Sequence, residues 1–151
     1  MAPPLRTVVV VGAALIGDDG RLLIAKRPPG GSYGEHWEFP GGKVEARETD
    51  AQALVRELQE ELDITVAVGD LIARAEQDYP RFRIDLRVYR CALVSGTPTP
   101  KEALALRWVR LAEGVDETVG LPFPPADLPA LHALRAAAGL PFAPPDPPTQ
   151  R

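Results

Sequence analysis

The chain has 151 residues, 45% of them apolar and 25% charged, with 17 Lys+Arg against 21 Asp+Glu and one cysteine. A domain near this length buries roughly 68–70% of its unfolded surface, which excludes stapled mini-proteins, and Cys91 alone forms neither an intrachain disulfide nor a Cys-rich zinc site. The net charge of −4 leaves no basic field for long nucleic acid, so no stable nucleic-acid partner is expected and an anionic substrate needs local cations.

Residues 6–16 (RTVVVVGAALI) are β-branched and almost continuously apolar, as in a strand buried on both faces. The run is too short to cross a bilayer, so no membrane partner is expected, and a cytoplasmic setting fits the lone apolar-flanked cysteine. Gly17-Asp18-Asp19-Gly20 then turns the chain into residues 21–26 (RLLIAK), which predicts a hairpin. Residues 28–34 read as a loop, and Trp37-Glu38-Phe39 as a short extended piece stopped by Pro40-Gly41-Gly42.

Thr49 followed by Gln52 is a capping-box signature, and Ala51, Val55, Leu58 and Leu62 recur behind it at helical spacing, predicting a helix over 50–62. Residues 71–78 and 82–94 predict two longer strands joined by Tyr79-Pro80-Arg81, with a break at 96–100. Residues 106–111 predict a last strand and 129–138 a closing helix, with Pro129 near its start and Gly139 just past its end. Residues 1–140 are expected to form one domain, and the Pro-rich residues 141–151 a disordered tail.

Glu57, Glu60 and Glu61 are spaced i, i+3, i+4, so the three carboxylates share one helical face, with Ala53 one turn earlier leaving room beside them. Leu54, Val55, Leu58 and Leu62 form the adjacent arc expected to pack on the sheet. Like charges so spaced repel, and the plain alternative is a solvated acidic face. The flank Phe39-Pro40-Gly41-Gly42-Lys43 adds glycines for close backbone approach and a cation. Hard oxygen ligands beside such a loop describe a Mg²⁺ site acting on a phosphate ester or anhydride.

Gly42, five residues to Glu48, seven to Arg56, and the run Arg56-Glu57-Leu58-Gln59-Glu60-Glu61-Leu62-Asp63-Ile64 resemble the Nudix box. Asp63 stands where that family usually has Gly; Asp tolerates the left-handed conformation that ends the helix, so a modest stability cost and intact chemistry are expected. The resemblance covers about residues 6–138 and implies an α/β Nudix fold, a mixed β-sheet sandwiched between α-helices. It implies that Glu57, Glu60, Glu61 and the Gly41 carbonyl ligate divalent metal, Mg²⁺ with Mn²⁺ as a substitute. Arg56 would orient a box glutamate, and Glu48, with Gly42, would support the loop and helix geometry. The general base would be Glu57 or a distal acid matched by Glu102, which would also approach the metal; an isolated Glu in such a loop is otherwise simply solvated.

Residues 37–45 (WEFPGGKVE) and 56–62 resemble the MutT-type branch, which hydrolyses nucleoside triphosphates to monophosphate and pyrophosphate. The implied substrate is a small-molecule nucleotide, 8-oxo-dGTP-like or CTP-like, in a nucleotide-pool sanitation role. Arg27 would lie beside the nucleotide, Lys43 would hold a phosphate, and Asp127 would read the base edge. Arg27 and Lys43 read alternatively as surface charges, and Asp127 as the N-cap of the last helix. Competing readings are a Nudix pyrophosphatase of ADP-ribose or dinucleoside polyphosphates, and a non-catalytic nucleotide-sensing module. Monomer and homodimer are both open.

Overall fold

The computed structural model describes residues 4–140; the expected tail over 141–151 lies outside the described residues. The strand β1 (Arg6–Leu15) runs through the middle of a mixed sheet. It pairs antiparallel with β4 (Gly41–Lys43) on one edge and parallel with β6 (Phe82–Ser95) on the other, and β5 (Thr65–Asp78) closes the sheet antiparallel to β6. A second, antiparallel sheet holds β2 (Leu22–Lys26) between β3 (Trp37–Glu38) and β7 (Ala105–Val109). A short ribbon, β8 (Leu111–Ala112) with β9 (Val115–Asp116), follows.

The hairpin expected from residues 6–26 does not form. Both edges of β1 are taken by β4 and β6, so the turn at Gly17–Gly20 hands the chain to the other sheet, and the two strands meet only at the bridge between Ile16 and Leu22. The stop expected at Pro40-Gly41-Gly42 is also corrected, because Gly41–Lys43 pairs as a strand. A Cβ on Gly41 would run into the Val11 carbonyl, so glycine here permits close pairing and does not end it. The strand expected from residue 71 begins at Thr65, with register shifts that carry it past Gly69 and Asp70 as bulges.

The helix α1 (Asp50–Leu62) has the expected capping box, Gln52 N–H to Thr49 Oγ1 at 3.1 Å and Thr49 N–H to Gln52 Oε1 at 2.9 Å. Asp63 ends it in the left-handed region at φ 59°. A 3-10 turn (Pro125–Asp127) leads into α2 (Leu128–Ala137).

Side chains alternate along the strands, and each helix takes one face. Val11, Ala13, Leu15 and Leu23 pack with Leu54, Leu58 and Leu62 of α1, while Ala14, Leu22 and Ile24 pack with Ala130, Leu131 and Leu134 of α2. This is the expected mixed sheet between helices. Among the described residues no helix is long and apolar enough to cross a membrane.

The face of α1 differs from expectation in one respect. Val55 is 39% exposed and Ala53 fully buried, so the inward arc runs from Ala53 to Leu62. At 100° per residue that arc encloses Glu57 and Glu61, which therefore point in beside the leucines and not out to water. The simple solvated face is excluded for these two acids.

Candidate active site

Gly42 lies against α1 so closely that a Cβ there would collide with the Glu57 carboxylate. The Glu57 side chain is 13% exposed, trapped between this strand and its own helix. Arg56 holds the cluster together. Its Nε donates to Glu48 Oε2 at 2.7 Å, Nη1 to Glu57 Oε1 at 2.9 Å, and Nη2 to Glu48 Oε1 at 2.9 Å and to the Lys43 carbonyl at 3.0 Å. Arg56 and the Glu45 N–H hold the Glu48 carboxyl down at about 2. Arg56 is therefore no ordinary exposed arginine.

A second group of acids gathers at the C-terminal end of α1. The last turn of the helix leaves carbonyls without intrahelical donors, and the loop before β7 supplies them: Thr99 N–H donates to the Leu62 carbonyl at 2.9 Å and Lys101 N–H to the Glu61 carbonyl at 3.2 Å. Leu104 N–H donates to the Lys26 carbonyl at 2.9 Å and fixes the far end of that loop. Docked this way, Glu102 shares with Glu61 and Glu38 a cleft of about 90 Å³. Burial, reinforced by the charges of Glu57, Glu38 and Glu102, pushes the Glu61 carboxyl up to about 8.

Glu60 stands apart, 60% exposed and touched by Arg56 Nη1 at 3.3 Å. Among the described residues no three acids, imidazoles or thiols already close on one point as a metal cage. The donor chemistry nonetheless fits a hard divalent cation: Glu57 and Glu61 are inward-facing carboxyl groups, and burial together with the neighbouring acids raises the Glu61 carboxyl, a penalty that a cation placed among them would offset.

Glu38 also borders a larger cavity of about 320 Å³, which runs from Gly41, Gly42 and Lys43 to Asp127. Its walls combine apolar surface, including Phe39 and Tyr79, with the ion pair of Arg27 Nη1 and Glu38 Oε1 at 2.7 Å. Arg27 Nε donates to the Tyr33 carbonyl at 3.1 Å, so its guanidinium is held at both ends. Lys43 is exposed at the cavity's rim.

Asp127 is 6% exposed and makes no capping hydrogen bond to α2, whose start it flanks in a helical conformation. Asp127 thus occupies the expected N-cap position, but its side chain does not cap the helix. The side chain turns into the cavity, where its Oδ2 accepts the Phe39 N–H at 3.2 Å. Burial, with the Glu38 charge adding to it, pushes the Asp127 carboxyl up to about 7.

Glu38 is the participant that sequence reasoning missed. Alternation along Trp37-Glu38-Phe39 marks it as facing away from its two aromatic neighbours, but nothing local shows that it borders both clefts.

A family model described as NUDIX domain matches residues 11–133. The chain is 39% identical over 129 residues to the CTP pyrophosphohydrolase of Escherichia coli K12, covering 85% of this chain and 93% of that protein. It is 33% identical over 130 residues to the 8-oxo-dGTP diphosphatase of Haemophilus influenzae, covering 85% and 93%. Among solved structures it resembles the E. coli ORF135 protein, with a TM-score of 0.72, 35% identity, and coverage of 89% and 94% of the two chains. A MutT protein from Methanosarcina mazei Go1, 22% identical, shares the fold with a TM-score of 0.73 and coverage of 90% and 99%.

Proposed function

The chain belongs to the Nudix family, and on that basis we propose that it hydrolyses nucleoside triphosphates to the monophosphate and pyrophosphate, using Mg²⁺ or Mn²⁺. The observation that carries this reading is that Glu38 lines both clefts: an acidic cleft suited to a metal and phosphates on one side, and on the other a largely apolar cavity with an ion pair and Asp127 in its wall. At about 320 Å³ that cavity lies at the small end of ligand sites, which suits one nucleoside better than a dinucleotide.

Glu57, Glu60, Glu61 and the Gly41 carbonyl are the proposed ligands. When bound, a divalent cation supplies neutralising charge to the phosphate oxygens and makes the attacking water more acidic. Arg56, anchored by Glu48 and the Lys43 carbonyl, holds the Glu57 carboxylate in place across Gly42. Glu102 takes the proton of the attacking water, with Glu57 the competing candidate. Lys43 at the rim binds the phosphate chain as a point charge.

In the larger cavity, Arg27 lies beside the nucleotide and Asp127 meets the base edge. A carboxyl near half-protonation at neutral pH accepts hydrogen bonds and also donates one, so it discriminates between base edges. The test is a panel of ordinary, oxidised and methylated triphosphates run beside ADP-ribose and a dinucleoside polyphosphate. Turnover of triphosphates is expected. Turnover confined to the other two would move the chain to another branch of the family, and binding without turnover would make it a sensor.

A further inference from the structure

Three chain segments meet at Gln77, a residue of β5 outside the α1 acids and the ion pair. Its Oε1 accepts the Ala126 N–H at 3.2 Å. Because a backbone N–H can only donate, this bond fixes the orientation of the amide, and Nε2 then donates to the Tyr33 hydroxyl. Tyr33 belongs to the loop joining β2 to β3, and Ala126 to the 3-10 turn that ends in Asp127.

Each end of the bridge touches a polar group of the larger cavity at one remove. On one side, the Tyr33 carbonyl accepts Arg27 Nε at 3.1 Å, and the Tyr33 ring stands edge-on to Tyr79, with centroids 6.1 Å apart. On the other, Ala126 is bonded in sequence to Asp127, and both line the cavity. The loop has its own backbone bonds, with the Glu35 N–H donating to the Arg27 carbonyl at 3.2 Å and the His36 N–H to the Tyr33 carbonyl at 3.3 Å, and Gln77 adds the tie from this loop to the 3-10 turn.

We propose that Gln77 is a specificity-determining positioning residue: by clamping Tyr33 to Ala126 it fixes the separation of Arg27 and Asp127, and so decides which base edge the cavity accepts. The proposal rests on the reading of this cavity as the nucleoside site. The amide reaches the substrate through these two partners and acts on recognition, while the acids of α1 lie outside the bridge.

The experiment compares wild type with Gln77→Met, Tyr33→Phe and the double variant. Methionine keeps the length and loses both hydrogen bonds; phenylalanine keeps the ring and loses the acceptor. For each, kcat and KM are measured over the triphosphate panel, together with Tm. For Gln77→Met the expected result is a rise of about tenfold in KM for the preferred base and a matching fall in its advantage over the next base, the size of one or two lost hydrogen bonds, with kcat changed less than about twofold. Tyr33→Phe shifts the ratio the same way, and the double variant shifts it no further than the larger single effect, because both remove one bridge.

An equal loss across all bases that follows a fall in Tm, an unchanged base ratio, or additive effects in the double variant would each overturn the proposal. If wild type turns over no triphosphate, the reading of the cavity fails and this assignment falls with it. If wild type does turn over triphosphates and Gln77→Met keeps the base ratio, only the role of Gln77 is lost.

Discussion

The carboxylate of Glu57 rests directly on the Cα of Gly42, leaving no room for a Cβ between strand and helix. Chain connectivity does not demand this contact. It arises because β4 is pressed against β1 on one side and against α1 on the other. The glycine thus sets where the acid can sit.

Gly42→Ala therefore displaces Glu57 or pushes β4 off α1. The expected outcome is a loss of about 100-fold in kcat, the usual effect of shifting a catalytic group by about an ångström, while circular dichroism stays native. Retained kcat would show that the position of Glu57 is not critical.

Arg56 makes bidentate contact with Glu48 and reaches Glu57 with the same guanidinium. Lysine has one ammonium and cannot reproduce that fork. Arg56→Lys is expected to lower kcat by at least about tenfold with the fold intact, as measured by steady-state kinetics beside a thermal melt.

The depressed Glu48 carboxyl gives stability that is complete above the ordinary carboxylate pKa of 4.5 and lost as pH falls toward about 2. Acid unfolding of wild type is expected to begin in that window. Glu48→Gln removes this part of the pH dependence, so its melting temperature falls less steeply between pH 4.5 and pH 2. An unaltered slope would mean that the Arg56 contact does not persist in solution.

Asp127 works in the opposite sense. Its folded carboxyl is raised from 3.8 to about 7, so its contribution favours folding below pH 3.8 and is lost as pH rises through 7. Wild-type base preference is expected to change across pH 6 to 8, as the group passes from donor and acceptor to acceptor only. Asp127→Asn cannot titrate, and its preference is expected to be flat over that range. A flat wild-type profile would remove Asp127 from base reading.

The proton acceptor is decided by Glu102→Gln. Removal of a general base costs about 10²- to 10⁴-fold in kcat. A loss in that range, with unchanged metal affinity by calorimetry, assigns the base to Glu102. A kcat within a few-fold of wild type assigns it to Glu57.

What could be read in the sequence follows the range of the interactions. The caps of α1, the grouping of its acids and the left-handed Asp63 depend on neighbours within one or two turns, and all are visible as spacing. The split of β1 and β2 into separate sheets depends on β6, far along the chain, taking an edge of β1. The burial of Glu57 and Glu61 depends on which arc of α1 meets the strands, and the expected arc was turned toward Val55. In the larger cavity, Phe39 and Asp127 are 88 residues apart in sequence and Gln77 and Ala126 are 49 apart, so no local pattern joins them.

Hydrolysis at the phosphoanhydride is tested by separating the products formed from one nucleoside triphosphate with Mg²⁺ and with excess chelator. Equal amounts of monophosphate and pyrophosphate are expected, with turnover abolished by the chelator. Release of diphosphate and orthophosphate, or turnover that survives the chelator, would contradict this assignment.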